Sequence, residues 1–234
     1  MKKSIYFIVG WFTFIAMYSC SDMNDMHDPW MKDGEITYVG RVDSIHAYSG
    51  RERVLVSYWV TDPRVKKLIV YWNQKADSVI VPVTPHHPSD SLTVMIGEGE
   101  TKIKEGDHTF FFYSYDERGH RSVKYETLLN VYGDRYQATL SNRSIKKVNC
   151  RENTLILEWG GSNSNNEIGI EILYTDKEGK TKTFFAETAL LAQAIVLENV
   201  DITKEVKYRT LFKPNPQALD TFSAPEIVIP INNE

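Results

Sequence analysis

Two stretches of the chain, residues 44–59 (SIHAYSGRERVLVSYW) and 144–159 (SIKKVNCRENTLILEW), match each other across a spacing of 100 positions. Six of the sixteen aligned positions are identical without a gap, and the last of them is a tryptophan in both copies. Further along, Val70-Tyr71 aligns with Leu173-Tyr174 at a spacing of 103. A period of about 100 residues is the size of one β-sandwich domain, so the pattern predicts a duplicated module.

Short runs rich in β-branched and aromatic residues recur in both halves, separated by turn residues, and they predict antiparallel strands. Only residues 187–194 have helical character, so the predicted fold class is all-β. The predicted strands of the first half are Arg53–Val60, Lys67–Trp72, Ser78–Val83, Leu92–Ile96, Thr109–Tyr115 and Val123–Val131. Those of the second half are Thr154–Trp159, Gly169–Thr175, Thr181–Ala186, Ala194–Leu197, Val206–Phe212 and Ala224–Pro230.

Three segments of the chain resemble parts of fibronectin type III domains. Residues 103–112 with the turn 116–122 resemble their strand F–G region, and Leu155-x-Leu157-x-Trp159 resembles their strand B. Such domains need no disulfide, which agrees with a chain of only two cysteines. The resemblance implies two tandem fibronectin III or immunoglobulin-like β-sandwiches, at residues 35–133 and 134–234. The linker between them is short and poor in glycine, so we expect a restrained arrangement.

The first 19 residues have the layout of an export signal. Lys2 and Lys3 precede an uncharged apolar run of fourteen residues, Ile5–Tyr18. This run is too short for a helix that crosses about 30 Å of hydrocarbon, and a basic start before it is typical of a signal peptide. Ser19 before Cys20 favours a bacterial lipoprotein signal, in which Cys20 is lipidated and binds membrane lipid. The alternatives are an ordinary signal peptide or an uncleaved anchor.

Residues 20–34 form a predicted acidic tether, because residues 21–28 hold three carboxylates and no lysine or arginine. This tether resembles the export signal of Bacteroidetes surface lipoproteins, which implies an outer-membrane anchor that faces the cell exterior. The alternative is a solvated linker facing the periplasm. Asn142-Arg143 and the motif at residues 214–222 resemble a Bacteroidetes lipoprotein family of unknown function, whose members resemble accessory lipoproteins of polysaccharide-utilisation systems.

Side-chain alternation along the predicted strands assigns their faces. Ile170, Ile172 and Tyr174 are assigned to the core of the second half, and the repeat then places Tyr71 inward and Trp72 outward. The predicted outer surface of the first half consists of Val70, Trp72, Phe111, Tyr113 and Tyr115, with Asn73 and Arg118 as polar neighbours. Such a surface either stacks on sugar rings or is covered by the second domain, an N-terminal strand or a partner protein.

Several classes of function are disfavoured by composition and motifs. A net charge of −4 disfavours nucleic-acid binding, which needs a basic surplus. The chain has no Gly-x-Ser-x-Gly, no His-Glu-x-x-His and no phosphate-binding glycine loop. Adjacent His86 and His87 point to opposite sides of an extended chain. We therefore predict no catalytic residues, no metal and no cofactor.

The function predicted from the sequence is that of a lipid-anchored accessory protein at the cell surface. It assists glycan capture next to a TonB-dependent outer-membrane transporter. The alternative is a structural spacer or a protein-interaction subunit of an outer-membrane complex, without glycan binding.

Overall fold

Strand pairing follows one plan twice along residues 37–99, 101–162 and 164–231, which are the residues that the computed structural model describes. The predicted signal peptide, Cys20 and the acidic tether lie outside these residues. From Val39 onward the chain forms one compact unit. Within the described ranges, no helix is both long and apolar enough to span a membrane.

The first half forms two antiparallel sheets. Its strands are β1 (Ile45–Ser49), β2 (Val54–Tyr58), β3 (Lys67–Trp72), β4 (Asp77–Pro82), β5 (Leu92–Ile96), β6 (Gly106–Tyr115) and β7 (Tyr125–Val131). One sheet has the order β1-β2-β5 and the other β4-β3-β6-β7. A 3-10 turn, Asn73–Lys75, connects β3 to β4. The inward side chains of both sheets form one core, which includes Val56, Leu68, Phe110 and Phe112.

The second half repeats this order after a short helix, α1 (Asp134–Ala138). Its strands are β8 (Ile145–Arg151), β9 (Thr154–Trp159), β10 (Glu167–Thr175), β11 (Thr181–Glu187), β12 (Ile195–Leu197), β13 (Lys207–Phe212), β14 (Phe222–Ser223) and β15 (Ile227–Val228). One sheet has the order β12-β9-β8, and the other has the order β11-β10-β13 with β14 and β15 both paired to β13. A second core, which includes Leu157, Ile172 and Leu197, lies between them.

This topology confirms the predicted fold class, an all-β chain of two sandwiches. The predicted helical stretch at residues 187–194 is a 3-10 segment, Thr188–Ala192. Of the last predicted strand, Ala224–Pro230, only β15 (Ile227–Val228) forms, and β14 (Phe222–Ser223) lies just before its predicted start. Strands β1 and β8 and helix α1 were not predicted.

A β-bulge explains why identical residues of the repeat do not occupy equivalent positions. The pairing of β8 with β9 shifts by one residue between Ile145 and Lys147, whereas β1 pairs with β2 without a shift. A one-residue shift reverses the face that a side chain takes. Trp159 is therefore in the core with 6% of its surface exposed. Trp59 lies on the outer face of its sheet, beside the ring of His46.

Asp220 fastens the loop between β13 and β14 to the turn between β1 and β2. Its carboxylate accepts hydrogen bonds from the Arg51 backbone N–H at 2.7 Å and from Nη2 of Arg53 at 2.5 Å. Close by, the Leu219 N–H donates to the Ser49 carbonyl at 2.8 Å. These hydrogen bonds, that of Arg53 above all, hold the pKa of Asp220 below its ordinary value. The loop between β13 and β14 thus binds the first sandwich.

Aromatic rings pack at the same junction. The Tyr132 ring lies 5.0 Å from Tyr136 of α1 and 6.2 Å from Phe222 of β14, between centroids. The Arg51 guanidinium lies 4.6 Å above the Phe222 ring and pairs with Asp134 at 2.9 Å. These contacts restrain the two sandwiches relative to each other, as the short linker led us to expect. They also give a structural role to the motif at residues 214–222.

The Asn142-Arg143 motif forms a buried corner of the second sandwich. Arg143 Nη1 lies 2.7 Å from the carboxylate of Glu167, and both side chains are buried. The Tyr208 hydroxyl donates to the Arg143 carbonyl at 2.8 Å, and the Arg143 N–H donates to the Thr210 hydroxyl at 2.8 Å. Buried ion pairs persist when further hydrogen bonds satisfy both partners, so this corner has a structural role.

We expect Asp220→Ala to lower the free energy of unfolding by about 1–3 kcal/mol, because the Arg51 N–H and the Arg53 guanidinium lose their acceptor. Urea denaturation of the full-length chain measures the loss. Glu98→Ala is the matched control, since Glu98 lies 3.9 Å from the same arginine but is mostly exposed. There we expect a change within about 0.5 kcal/mol. Equal losses in both variants would contradict the role of Asp220.

The wild type and Asp220→Ala also test the pH dependence of the junction. The pKa of Asp220 is lowered by folding, so its contribution is present above the ordinary aspartate pKa. That contribution is lost as the pH falls through the pKa of the folded state. The stability difference between the wild type and Asp220→Ala should therefore shrink in acid, and a difference that stays constant would contradict the ion pair.

Candidate functional site

Strand β3 has two apolar faces, and its pairing decides which of them is the core. Leu68, Val70 and Trp72 are buried, with 6% of the Trp72 surface exposed. The Trp72 ring packs 6.3 Å from that of Phe110, between centroids. The prediction that Val70 and Trp72 face outward and Tyr71 inward is therefore wrong.

The error comes from the spacing at which the repeat was aligned in this strand. Val70 pairs with Phe112 of β6, and Ile172 pairs with Tyr208 of β13. Val70 and Ile172 thus hold equivalent buried positions, which lie 102 rather than 103 residues apart. A shift of one residue exchanges the two faces of the strand.

The surface of the first sandwich that remains as a candidate site is the outer side of the sheet β4-β3-β6-β7. Phe111, Tyr113 and Tyr115 of β6 lie there, on the side away from the core, as the alternation along β6 predicts. Their partners across to β3 are, in the same order, Tyr71, Ile69 and Lys67. We call the surface formed by the rings of Tyr71, Phe111, Tyr113 and Tyr115 the outer aromatic face.

The rings of this face pack against one another. Tyr71 and Tyr113 lie edge to face with centroids 5.9 Å apart. Burial, together with the neighbouring Tyr115, raises the pKa of the Tyr71 hydroxyl. Two apolar side chains extend the surface on either side, Ile80 of β4 with 61% exposed and Leu128 of β7 with 69% exposed. The aromatic centre is therefore continuous with exposed apolar surface on both flanking strands.

Two cations cover the middle of the outer aromatic face. Nζ of Lys75 lies 5.5 Å from the centroid of Tyr113, and the guanidinium carbon of Arg121 lies 4.9 Å from the same centroid. Nζ of Lys75 is also 3.4 Å from the Tyr113 hydroxyl. Both cations are exposed, whereas Tyr113 keeps only 8% of its surface exposed. Tyr113 therefore supports two charged groups, and Lys75 reaches the neighbouring Phe111 ring as well, at 5.3 Å from its centroid. Tyr113 differs from Phe111 in that it is almost fully buried.

Two further lysines flank this centre. Nζ of Lys67 lies 5.5 Å from the Tyr115 centroid, and Nζ of Lys124 lies 5.5 Å from the Phe111 centroid. Lys124 is paired with Glu126 at 2.6 Å. Cation–π contacts of this kind contribute roughly 0.5–1 kcal/mol at exposed sites. The face thus combines partly exposed aromatic side chains with positively charged groups around them.

Asn73 and Arg118 do not flank one site. Asn73 follows β3 and donates to Asp77 at 3.0 Å. Arg118 lies in the turn after β6, where its N–H donates to Asp116 at 2.9 Å. These turns are at opposite ends of the β3–β6 pair, about 20 Å apart at the rise of a strand. The two residues therefore cannot bind the same sugar ring.

The second sandwich carries ion pairs at the equivalent positions. Glu171 and Arg209 are paired across β10 and β13, as Ile69 and Tyr113 are across β3 and β6. Nη2 of Arg209 lies 2.5 Å from Glu171, and its Nη1 lies 3.4 Å from Glu226. Two copies of one fold thus differ at the centre of the same face. The fold itself does not require an aromatic surface there.

A concavity beside β3 is explained by its own hydrogen bonds. The ring nitrogens of His86 lie 2.8 Å from the Thr84 carbonyl and 2.9 Å from the Val60 carbonyl. These carbonyls raise the pKa of His86 and hold its loop against the sandwich. His87 contacts Ser89 instead. Across the described residues, no three His, Cys, Asp or Glu side chains form a group that could hold a metal ion.

An open cavity at the junction is lined by three cations that each face a carboxylate. The pairs are Arg51 with Asp134, Arg53 with Asp220, and Lys102 with Glu52. Their charges are satisfied within the chain. The outer aromatic face is therefore the candidate functional site.

Sequence reasoning missed Lys67, Tyr71, Lys75, Arg121 and Lys124. A signal for Tyr71 was present, because Lys67 is four residues before it on the same side of β3 and lysine is almost never fully buried. The three other cations gave no such signal, since they lie outside the strands and reach rings that are distant in sequence.

The fold and this face define a tandem β-sandwich of a kind compatible with a binding or structural role. The chain belongs to the DUF4998 family, a domain of unknown function, whose model matches residues 20–222. A search among curated proteins finds no match.

Solved structures with tandem fibronectin III domains are similar to this chain. One is the crystal structure of the chicken CNTN1 FN1–FN3 domains, with 9% identity and a TM-score of 0.41 over 82% of this chain. The match spans 64% of that structure's length. Another is a two-domain fibronectin type III segment of chicken tenascin, with 10% identity, a TM-score of 0.31, and coverage of 81% and 97%. The strand pairing of the chain itself defines the fold.

We expect Trp72→Ala to lower the free energy of unfolding by about 3–5 kcal/mol, because it leaves a cavity in the first core. Tyr71→Ala, its neighbour on the opposite face, is the matched control and should cost less than half as much. Urea denaturation of both variants measures the difference. A larger loss for Tyr71→Ala than for Trp72→Ala would contradict the assigned faces of β3.

Proposed function

We propose that this protein is a non-catalytic binding protein of the cell surface that captures a polysaccharide on its outer aromatic face. In this proposal Cys20 carries the lipid that holds the protein on the outer membrane. The captured glycan is passed to a TonB-dependent transporter in the same membrane.

The observation that carries the proposal is the difference between the two sandwiches. The first has partly exposed rings at Phe111 and Tyr115, while the second has the Glu171–Arg209 ion pair at the centre of the same face. Large apolar patches on a free surface are uncommon and mark interaction sites. A flat ring can stack on the apolar face of a pyranose, and neighbouring polar groups can bind its hydroxyls. A long polysaccharide fits an open sheet face that has no deep cleft.

The charged groups on the face favour binding of a glycan over its hydrolysis. Hydrolysis of a glycosidic bond needs two carboxylates on opposite sides of that bond. On the outer aromatic face, Glu126 is paired with Lys124. The face therefore supports a role in holding a glycan rather than in cleaving it.

A second candidate function, a structural spacer or subunit of an outer-membrane complex, is favoured by the junction. The hydrogen bonds from Arg51 and Arg53 to Asp220 fasten the two sandwiches to each other. A restrained pair of domains can hold a partner at a fixed distance from the membrane. In that case the outer aromatic face contacts a protein and no glycan.

Affinity electrophoresis of the full-length chain in detergent, with polysaccharides cast into the gel, separates the two functions. We expect a polysaccharide to retard the wild type, and Phe111→Ala combined with Tyr115→Ala to reduce that retardation at least about tenfold, because stacking is lost. Phe185→Ala is the matched control, since Phe185 is an exposed phenylalanine of the second sandwich. It should bind like the wild type.

The result that overturns glycan capture is migration of the wild type unchanged across a panel of neutral and acidic polysaccharides. Equal retardation of the wild type and the double variant would place the glycan site elsewhere. Unfolding midpoints of all variants show whether a loss of binding reflects a loss of folding.

The lipid anchor is tested separately. We expect Cys20→Ser to move the protein from the outer-membrane fraction to the soluble fraction, since a stable anchor needs more than one acyl chain and all of them depend on this residue. Mass spectrometry of the wild-type N-terminal peptide should show the acylated cysteine. Ser19→Ala, at the neighbouring position, is the control that should stay in the membrane. Retention of Cys20→Ser in the membrane would contradict lipidation.

A further inference from the structure

We infer that the ligand of the outer aromatic face is an acidic polysaccharide, whose carboxylate or sulfate groups are bound by Lys67, Lys75 and Arg121. This inference rests on the proposed glycan capture and names the chemical class of the glycan. It follows from the charges on the face.

The three cations have no carboxylate partner within the described part of the chain. Among these residues the ion pair on the face is Lys124 with Glu126, while Lys67, Lys75 and Arg121 contact rings instead. By contrast Arg209, at the centre of the equivalent face of the second sandwich, binds two glutamates. The first sandwich therefore presents positive charge that the chain does not neutralise.

This positive patch stands out against the charge of the whole protein. The net charge is −4, so long-range electrostatics repel an anionic polymer from most of the surface. A cluster of unpaired cations on one face directs such a polymer to that face. Electrostatic complementarity of this kind selects the ligand and speeds its encounter.

In this inference the cations bind the acid groups of the glycan, and the aromatic rings stack on its sugar rings. Tyr113 lies beneath Lys75 and Arg121, which approach its ring to 5.5 Å and 4.9 Å. The rings of Phe111 and Tyr115 on either side are partly exposed and each also lies near a lysine, Lys75 at 5.3 Å from Phe111 and Lys67 at 5.5 Å from Tyr115. A sugar ring stacked on Phe111 or Tyr115 thus places its neighbours close to the cations over Tyr113. An acid group on the glycan then forms charge-assisted hydrogen bonds with the cations.

A neutral polysaccharide fits this face less well. On binding, it would remove water from Lys75 and Arg121 without supplying an anion. Loss of water from a charge without a compensating partner is costly. The same surface therefore discriminates between acidic and neutral glycans of similar shape.

The test uses polygalacturonate and its fully methyl-esterified form, which share one backbone and differ in that each carboxylate is replaced by an uncharged methyl ester. The dissociation constants of the full-length chain in detergent are measured by isothermal titration calorimetry. We expect polygalacturonate to bind at least about tenfold more tightly. Its affinity should fall as salt rises, because mobile ions screen exposed charges. Dextran sulfate against dextran repeats the comparison for sulfate groups and distinguishes the two sources of negative charge.

The variant Lys75→Gln with Arg121→Gln keeps much of the packing on Tyr113 and removes two charges. We expect it to lower the affinity for polygalacturonate roughly tenfold and to leave that for the methyl ester within about twofold. Lys207→Gln on the outer side of the second sandwich is the matched control and should bind both polymers like the wild type. Unfolding midpoints confirm that each variant is folded.

Other outcomes overturn the inference in distinguishable ways. If the charged and neutral polymers bind equally and salt has no effect, glycan capture stands and its acidic specificity fails. If neither polymer nor any other polysaccharide binds, the proposed function itself fails. If polyglutamate binds as tightly as polygalacturonate and Phe111→Ala changes nothing, the face binds acidic protein segments rather than glycans.

Discussion

The pairing of β3 with β6 is the constraint on which the candidate site depends. Because side chains alternate along both strands, one register sends Val70, Trp72 and Phe112 into the core and leaves the opposite set outside. The outer set is aromatic here and ion-paired in the second sandwich. The core therefore fixes where the outer side chains stand, and leaves their chemistry free to diverge between the two copies.

Much of the fold could be predicted from sequence because β-rich runs and turn residues are local signals. The ends of β3 and β9 and the all-β class follow from such patterns. The face of β3 did not follow, because its apolar residues occupy both sides and only Lys67 marks the side that faces water. Which residues of a strand face the core is set by the strands and sheet that pack against it. A repeat alignment that is wrong by one residue therefore assigns the two faces the wrong way round.

The repeat was a correct guide to topology and a misleading one to residues. A single bulge in β8 shifts the register, so that Trp59 and Trp159 align in sequence and lie on opposite faces of their sheets. The polar residues of the two strands indicated the shift. Ser57 in β2 and Glu158 in β9 both face outward, but the gapless alignment places Glu158 opposite Tyr58 and not opposite Ser57. The cations over Tyr113 and the partners of Asp220 were beyond sequence reasoning, because both depend on contacts between distant segments.

The hydrogen bonds of Asp220 also set an order of events during synthesis. The first core is complete by Val131, so that sandwich can fold as soon as its own strands have left the ribosome. Its first turn, however, waits for an acceptor that is made 167 residues after Arg53. Until then the arginines of that turn have no acceptor at position 220. The β13–β14 loop, which is synthesised after the whole first sandwich, therefore completes the hydrogen bonds of the first hairpin late.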